Sequence, residues 1–343
     1  MTYSIEEDAR AVLLPAFEGA DLSSSTRRFL DSGGVAILLG ESRSEYLARG
    51  MSAERKASET AATFQKVIED ACNRSGLLLA CVDQELGGIC RLHDLVPAFP
   101  PSDQIARYSE SDIEVMAKQV GLAASSLGVN VFLAPIVDTL IGRNDWLHGR
   151  TWSSDPVLIG KLSAAFVRGV QQAGVAATVK HFPGFGVVTG DPAVDNDAVN
   201  PQTLQMIEAA FPAFQAPIAA GAELVMIGPS IVTALDPEKP ALRSGKVVSV
   251  LRKRFNFRGV ILADDLDSKA ALLGTSVPFV ALEALSAGCD FLLLADIGTQ
   301  LDEVGEAIAL AARAGRISAD TLAMSAQKVR DLAKAYAPKV ISA

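Results

Sequence analysis

Charged side chains gather at the ends of apolar runs in this sequence, where they could bind or turn over a polar ligand. One run closes with Cys81-Val82-Asp83, followed by Gln84-Glu85, and another with Val137-Asp138. Others close with Lys180-His181-Phe182-Pro183-Gly184, with Ala263-Asp264-Asp265 and with Ala295-Asp296. Arg91 and Arg150 add two guanidinium groups, the latter after a Gly, Asn, Asp and Trp stretch that reads as a loop folded over a mouth. Carboxylates accept from hydroxyls, while Arg and Lys donate to hydroxyl or carbonyl oxygens, so the set suits a hydroxyl-rich ligand or an anionic one. Plainer roles are open to each residue. Asp264, Asp265 or Asp267 would cap a helix beginning near Ser268, Lys180-His181 would be a satisfied polar pair, Asp138 would hold a loop through backbone amides, and the two arginines would lie on the surface. Convergence of five strand ends on one rim argues against these roles taken together.

The runs that carry these residues alternate with longer amphipathic segments from end to end. Strands are expected at Ala11–Phe17, Val35–Leu39, Leu77–Asp83, Val131–Asp138, Ala177–Phe182, Leu224–Gly228, Val260–Asp265 and Phe291–Asp296. Their continuous apolar character is that of parallel strands buried on both faces. Helix periodicity runs through Ser58–Cys72, Asp112–Ser126, Pro156–Ala173, Pro201–Ala219, Lys246–Phe255, Pro278–Ser286 and Gln300–Ala314, and a last helix over Asp320–Tyr336. Ser154-Asp155-Pro156 and Asn200-Pro201 are good helix starts. Eight strands with eight helix-length connections point to an α/β fold of the (β/α)8 TIM barrel type, with an open doubly wound sheet as the alternative. No Pro-, Gly- or Ser-rich linker divides residues 1–343, and a single domain is expected. The stretch Gly184–Asn200, rich in Gly, Asp and Pro, reads as a loop above the barrel mouth.

Composition narrows the partners. Of 343 residues 49% are apolar and 21% charged, enough for a large core, and a formal net charge of −9 argues against a nucleic-acid backbone as partner. No secretory leader is visible at the N-terminus, and no apolar run reaches the length of a membrane span. Cys72, Cys81, Cys90 and Cys289 form no CxxC pair and read as buried thiols in a reducing compartment, which makes the cytoplasm the expected location. No metal or organic cofactor is expected; the Gly-x-Gly near Gly184 lacks the third glycine and helix start of a dinucleotide site.

Order and wording of the motifs carry a resemblance. Val82-Asp83-Gln84-Glu85 with Arg91 resembles the D-x-E-G-G-R-V-x-R segment of family 3 glycoside hydrolases, and Ala134-Pro135-Ile136-Val137-Asp138 their A-P-V-x-D strand. Arg150-Thr151-Trp152 with Asp155-Pro156 is similar to R-x-F-x-x-D-P, and Lys180-His181-Phe182-Pro183-Gly184 is identical to K-H-F-P-G. Phe257-Arg258-Gly259-Val260 leading into Asp264-Asp265-Leu266 matches the nucleophile strand. The chain looks like the single-domain β-N-acetylhexosaminidases of that family. The resemblance implies Asp264 as nucleophile of a retaining mechanism, with Asp83, Arg91, Arg150, Lys180 and His181 gripping the hydroxyls and acyl group of a small carbohydrate.

The same alignment of motifs exposes departures. Where the group carries an Asp-Ser-His that supplies the acid/base, this chain has Asp191-Pro192-Ala193; Phe185 replaces the first loop His, Pro229 the His after Val225-Met226, Leu86 a Gly and Gly88 an Arg. The histidines, His93, His148 and His181, all lie outside this loop. A proton donor is therefore expected from Asp191, with Asp195, Asp197, Glu85 and His148 as further candidates. Three functions remain open: a glycosidase with a rearranged acid/base, a barrel doing other chemistry on a sugar derivative (lactone opening, isomerisation or transfer), and a non-catalytic sugar binder. A carboxylate or His148 beside Asp264 favours the first; an apolar wall from Phe185, Val187 and Val188 favours the others.

Overall fold

The computed structural model describes residues 3–19, 21–142, 144–188, 190–196, 198–295 and 300–338. Two residues of the sequence reading, Asp197 and Asp296, lie outside them. Eight parallel strands close on themselves: β1 (Leu13–Glu18), β2 (Ala36–Gly40), β3 (Leu79–Val82), β4 (Val131–Phe132), β5 (Ala176–Phe182), β6 (Leu224–Ile227), β7 (Val260–Ala263) and β8 (Phe291–Leu294). Each pairs with its neighbour in sequence, and β8 pairs back onto β1 through Leu13, Leu14 and Pro15. The barrel is closed, and the open sheet is excluded. Almost every strand residue is buried, because side chains facing inward fill the barrel and those facing outward meet the helical ring.

Local chemistry explains the helices. Ser4, Ser42, Thr60 and Ser109 each close a capping box. Asp155 caps Pro156–Gln172 with Pro in the first turn, as the sequence indicates. Gly76, at φ 70°, ends Ala61–Ser75 in the left-handed conformation that favours glycine.

Four expectations need correcting. Residues Ile5–Ala11 form a helix, so the first strand starts at Leu13 rather than Ala11. A short helix, Ser24–Asp31, links β1 to β2 with Ser23 as its cap; it is mostly polar and buries only Thr26, Phe29 and Leu30, so no long apolar pattern marks it. The span Pro201–Ala219 is two helices, Leu204–Ala210 and Pro212–Ala219, because Pro212 has no N–H to continue the first. The fourth strand is regular only over Val131–Phe132. Beyond it Pro135 contributes no ladder donor, and pairing survives through Lys180 N–H to Pro135 O and Val137 N–H to Lys180 O.

A small three-stranded ribbon (residues 199–200, 231–232 and 236–240) sits beside the barrel mouth. Its Asn200 side chain donates to Gly184 O at 2.9 Å, anchoring the far end of the Gly184–Asn200 loop. At the near end, Phe185 N–H donates to Asp138 and Asn144 Nδ2 donates to Phe185 O, each at 2.8 Å. The cysteines are free. Burial pushes the Cys72 thiol up to about 11 and the Cys90 thiol to about 12, so neither is a nucleophile at neutral pH.

Candidate active site

At the C-terminal ends of the strands lies a cavity of about 690 Å³. Strand ends give it Glu41 after β2, Asp83 after β3, Lys180 and His181 from β5, and Asp264 and Asp265 after β7. The short helix Arg43–Ala48 adds Arg43 and Tyr46, and loops add Trp146, Arg150 and Asp191. Five of the residues expected to bind or react, Asp83, Arg150, Lys180, His181 and Asp264, thus share one wall system, and Asp191 joins them from the loop above.

Beneath the wall runs an ion-pair chain. Lys180 Nζ donates to Asp83 Oδ1 at 2.5 Å and lies 3.0 Å from Glu85 Oε1. Arg150 grips the two oxygens of Glu85 at 2.7 and 3.2 Å. Burial alone would raise the Glu85 carboxyl, but Arg150 and Lys180 outweigh it and hold it well below the usual carboxylate range. For Lys180, burial disfavours the charge, but Asp83 and Glu85 outweigh it and raise its pKa. The site therefore keeps fixed ammonium and guanidinium donors. Arg150 also donates to Tyr46 Oη at 2.8 Å, which in turn accepts from Trp146 Nε1 at 2.6 Å.

Asp138 orients the histidine. It accepts from the His181 backbone N–H at 3.0 Å and pairs with Nδ1 at 2.8 Å; since a carboxylate only accepts, Nδ1 carries the proton. The Trp146 ring packs on His181 with centroids 4.7 Å apart. Asp138 is thus both the loop anchor expected of it and the support of the imidazole.

Asp264 is largely buried, and its Oδ1 accepts the Asp265 N–H at 2.9 Å, which fixes the carboxylate at the cavity wall. Helix capping nearby falls to Ser268, whose Oγ accepts from Ala271 N–H, so Asp264 and Asp265 do not serve as caps. Burial, then the neighbouring charges of Asp264, Asp267, Asp83 and Glu41, raises the Asp265 carboxyl well above its ordinary value. Glu41 behaves alike. Burial, Asp83 and Glu85 push it up to about 8 against the opposing pull of Lys180 and Arg91, and its Oε2 is enclosed without a hydrogen-bond partner among the described residues.

Several sequence expectations change here. Arg91 does not line the cavity: fully buried behind it, its guanidinium is bidentate to Glu59 at 2.7 and 2.8 Å, and its Nε donates to Gly40 O. It supports the β2 end rather than meeting a ligand. Asp191 reaches the cavity but is ion-paired with Arg43. Glu85 is too enclosed and too firmly ionised to donate a proton, Asp195 accepts the Asp191 N–H, and His148 lines a separate surface hollow with Trp152 and Ser102. Phe185 and Val188 are buried in the core and Val187 is off the cavity, so these three build no apolar wall beside Asp264. Glu41, Arg43, Tyr46 and Trp146 escaped the sequence reading. Glu41 stands one residue beyond its apolar run and directly before the Ser42 capping box, so it looks like ordinary helix-start polarity.

With this geometry in hand, comparison with known proteins decides the family. The model of the "Glycosyl hydrolase family 3 N terminal domain" matches residues 20–332. The chain belongs to glycosyl hydrolase family 3. A protein of Stenotrophomonas maltophilia named beta-hexosaminidase is 32% identical over 292 residues, covering 82% of this chain and 83% of that protein. One of the same name from Xylella fastidiosa is 35% identical over 226 residues, 63% of this chain and 67% of that protein. The solved family 3 β-N-acetylglucosaminidase of Paenibacillus superposes with a TM-score of 0.88 at 25% identity over all of this chain, which spans 64% of the Paenibacillus chain. The fold is also that of a Beutenbergia cavernae β-N-acetylhexosaminidase, with a TM-score of 0.85 at 23% identity, covering 97% of this chain and 99% of the other.

Proposed function

We propose that this family 3 barrel hydrolyses a β-linked N-acetylhexosamine-type glycoside with retention, acting as one domain on a small carbohydrate in the cytoplasm. One observation carries the reading: Asp264, its carboxylate fixed by the Asp265 amide, lines the same cavity as Asp83, Arg150, Lys180 and His181. Asp264 attacks the anomeric carbon, forming an ester as the bond to the leaving oxygen breaks; water then cleaves the ester. Asp83 accepts from sugar hydroxyls while Lys180 donates, and His181 offers its Nε2 face with Asp138 holding the ring. Relatives named β-hexosaminidase support the substrate class.

The test is turnover of 4-nitrophenyl N-acetyl-β-glucosaminide and a panel of other nitrophenyl β-glycosides. Nitrophenolate departs without a proton, so the assay reports the nucleophile and the sugar grip alone. Turnover is expected, and Asp264→Asn lowers it on the order of 10³-fold or more, since the covalent intermediate is lost. Absence of turnover on every sugar by folded protein, or full activity in Asp264→Asn, overturns the reading.

A further inference from the structure

The cavity holds a carboxyl with no role in gripping or attacking. Glu41 lies at the end of β2, lines the cavity, and has an enclosed Oε2 without a hydrogen-bond partner among the described residues. Around the barrel, β2 and β7 are separated only by β1 and β8, so Glu41 and Asp264 enter the mouth from different sides. A retaining glycosidase needs that arrangement: one carboxylate at the anomeric carbon and a second, protonated carboxyl flanking the leaving oxygen.

The alternatives are each occupied. Asp191 already has a partner, being ion-paired with Arg43. Asp265 rises from the same strand end as Asp264, next to it in the chain, whereas Glu41 comes from a different strand. Glu85 is locked between Arg150 and Lys180. The Arg43–Asp191 pair also shows where the loop crosses: it draws Asp191-Pro192-Ala193 over the residues that follow β2, and Ala193 lines the cavity with only a methyl group. Glu41, two residues before Arg43, lines the same cavity as this segment.

We propose that Glu41 is the general acid/base of this site. It gives its proton to the glycosidic oxygen as the bond from the anomeric carbon to that oxygen breaks and the Asp264 ester forms. Its carboxylate then takes a proton from water as water oxygen bonds the anomeric carbon and the ester breaks, which restores both groups. Electrostatics agree with this role. Glu41 is faced by Asp83 and Glu85 after β3, Asp265 after β7, Lys180 on β5, and Arg91; burial and the carboxylates win, and the group titrates at about 8. It is therefore neutral at pH 7, as an acid must be.

The inference rests on the glycosidase reading, and the test separates the two. Wild type, Glu41→Gln and Asp264→Asn are assayed on 2,4-dinitrophenyl and 4-methoxyphenyl N-acetyl-β-glucosaminides under pre-steady-state conditions. The first aglycone leaves unaided; the second needs protonation. Glu41→Gln is expected to form the intermediate at near wild-type rate from the dinitrophenyl substrate and to lose ~10²–10⁴-fold on the methoxyphenyl one. Retained chemistry on the first substrate certifies that the variant is folded. In wild type kcat/KM on the methoxyphenyl substrate falls above about pH 8, and Glu41→Gln lacks that limb. Azide accelerates turnover of the dinitrophenyl substrate by Glu41→Ala and yields the β-glycosyl azide, its nitrogen replacing water at the Asp264 ester. Equal losses on both aglycones, or none on either, overturn the Glu41 role alone. Inactive wild type, or Asp264→Asn at full rate, removes the glycosidase reading and this inference with it.

Discussion

Glu85→Gln is the sharpest test of how the site is held. The carboxylate is fully buried and accepts from Arg150 Nη2 at 2.7 Å, from Arg150 Nε at 3.2 Å and from the Ile89 N–H at 2.9 Å, with Lys180 Nζ 3.0 Å away. Glutamine keeps the shape but removes the charge and turns an NH2 toward a cation. Two buried cations then share Asp83 alone. Breaking such a buried pair by deleting one charge costs ~3–5 kcal/mol. Unfolding entropy of ~2.1 cal/mol/K per residue over 343 residues gives ~0.7 kcal/mol/K, so Tm falls by ~4–7 °C. The assay is thermal unfolding by circular dichroism at pH 7. Adding Arg150→Met to Glu85→Gln recovers part of the loss, because one stranded charge goes with it. The pH dependence has a fixed sign. Because the folded-state pKa of Glu85 is depressed, its contribution is complete above the ordinary value of 4.5 and is lost as pH falls through the folded-state value. The gap between wild type and variant is therefore constant from neutral pH down to about 5 and narrows below about 4.5. A Tm change under ~1 °C at pH 7 would refute the claim that this network is strongly coupled.

Other tests address the loop. A Cβ at Gly228 would stand 2.3 Å from the Phe185 ring, so Gly228→Ala is expected to cost ~1–3 kcal/mol in urea unfolding, and Phe185→Leu in the same chain to restore most of it. Equal stability of the single variant and wild type would contradict the packing of Phe185 over β6. Arg43→Ala releases Asp191; because the Arg43 side chain is 43% exposed, stability changes by at most ~1 kcal/mol. Amide exchange over residues 190–196 is expected to quicken, and unchanged protection would mean that the ion pair does not hold the loop.

Sequence alone determined the barrel and most of the cavity. Continuous apolar runs such as Phe291–Leu294 mark strands buried on both faces, and in a closed parallel barrel every strand end reaches one rim, so Asp83, Lys180, His181 and Asp264 were legible from periodicity plus position. Arg150 was legible through its loop and motif. Tertiary structure decided which charged groups are free to act. From sequence Arg91 looks like a ligand group and Glu85 like a candidate acid, yet each is consumed by a buried partner, Glu59 and Arg150 respectively, 32 and 65 residues away. Asp191 carries the motif position of an acid, but it is ion-paired with a guanidinium 148 residues away in the chain. Glu41 has no motif, and its Oε2 has no hydrogen-bond partner among the described residues; only closure of the barrel, which brings carboxyls from β2, β3 and β7 together around one cavity, raises its pKa and gives it a proton to donate. Local sequence fixes where a side chain leaves the backbone. Its protonation state depends on burial and on charges from distant strands, and those exist only once the chain has closed.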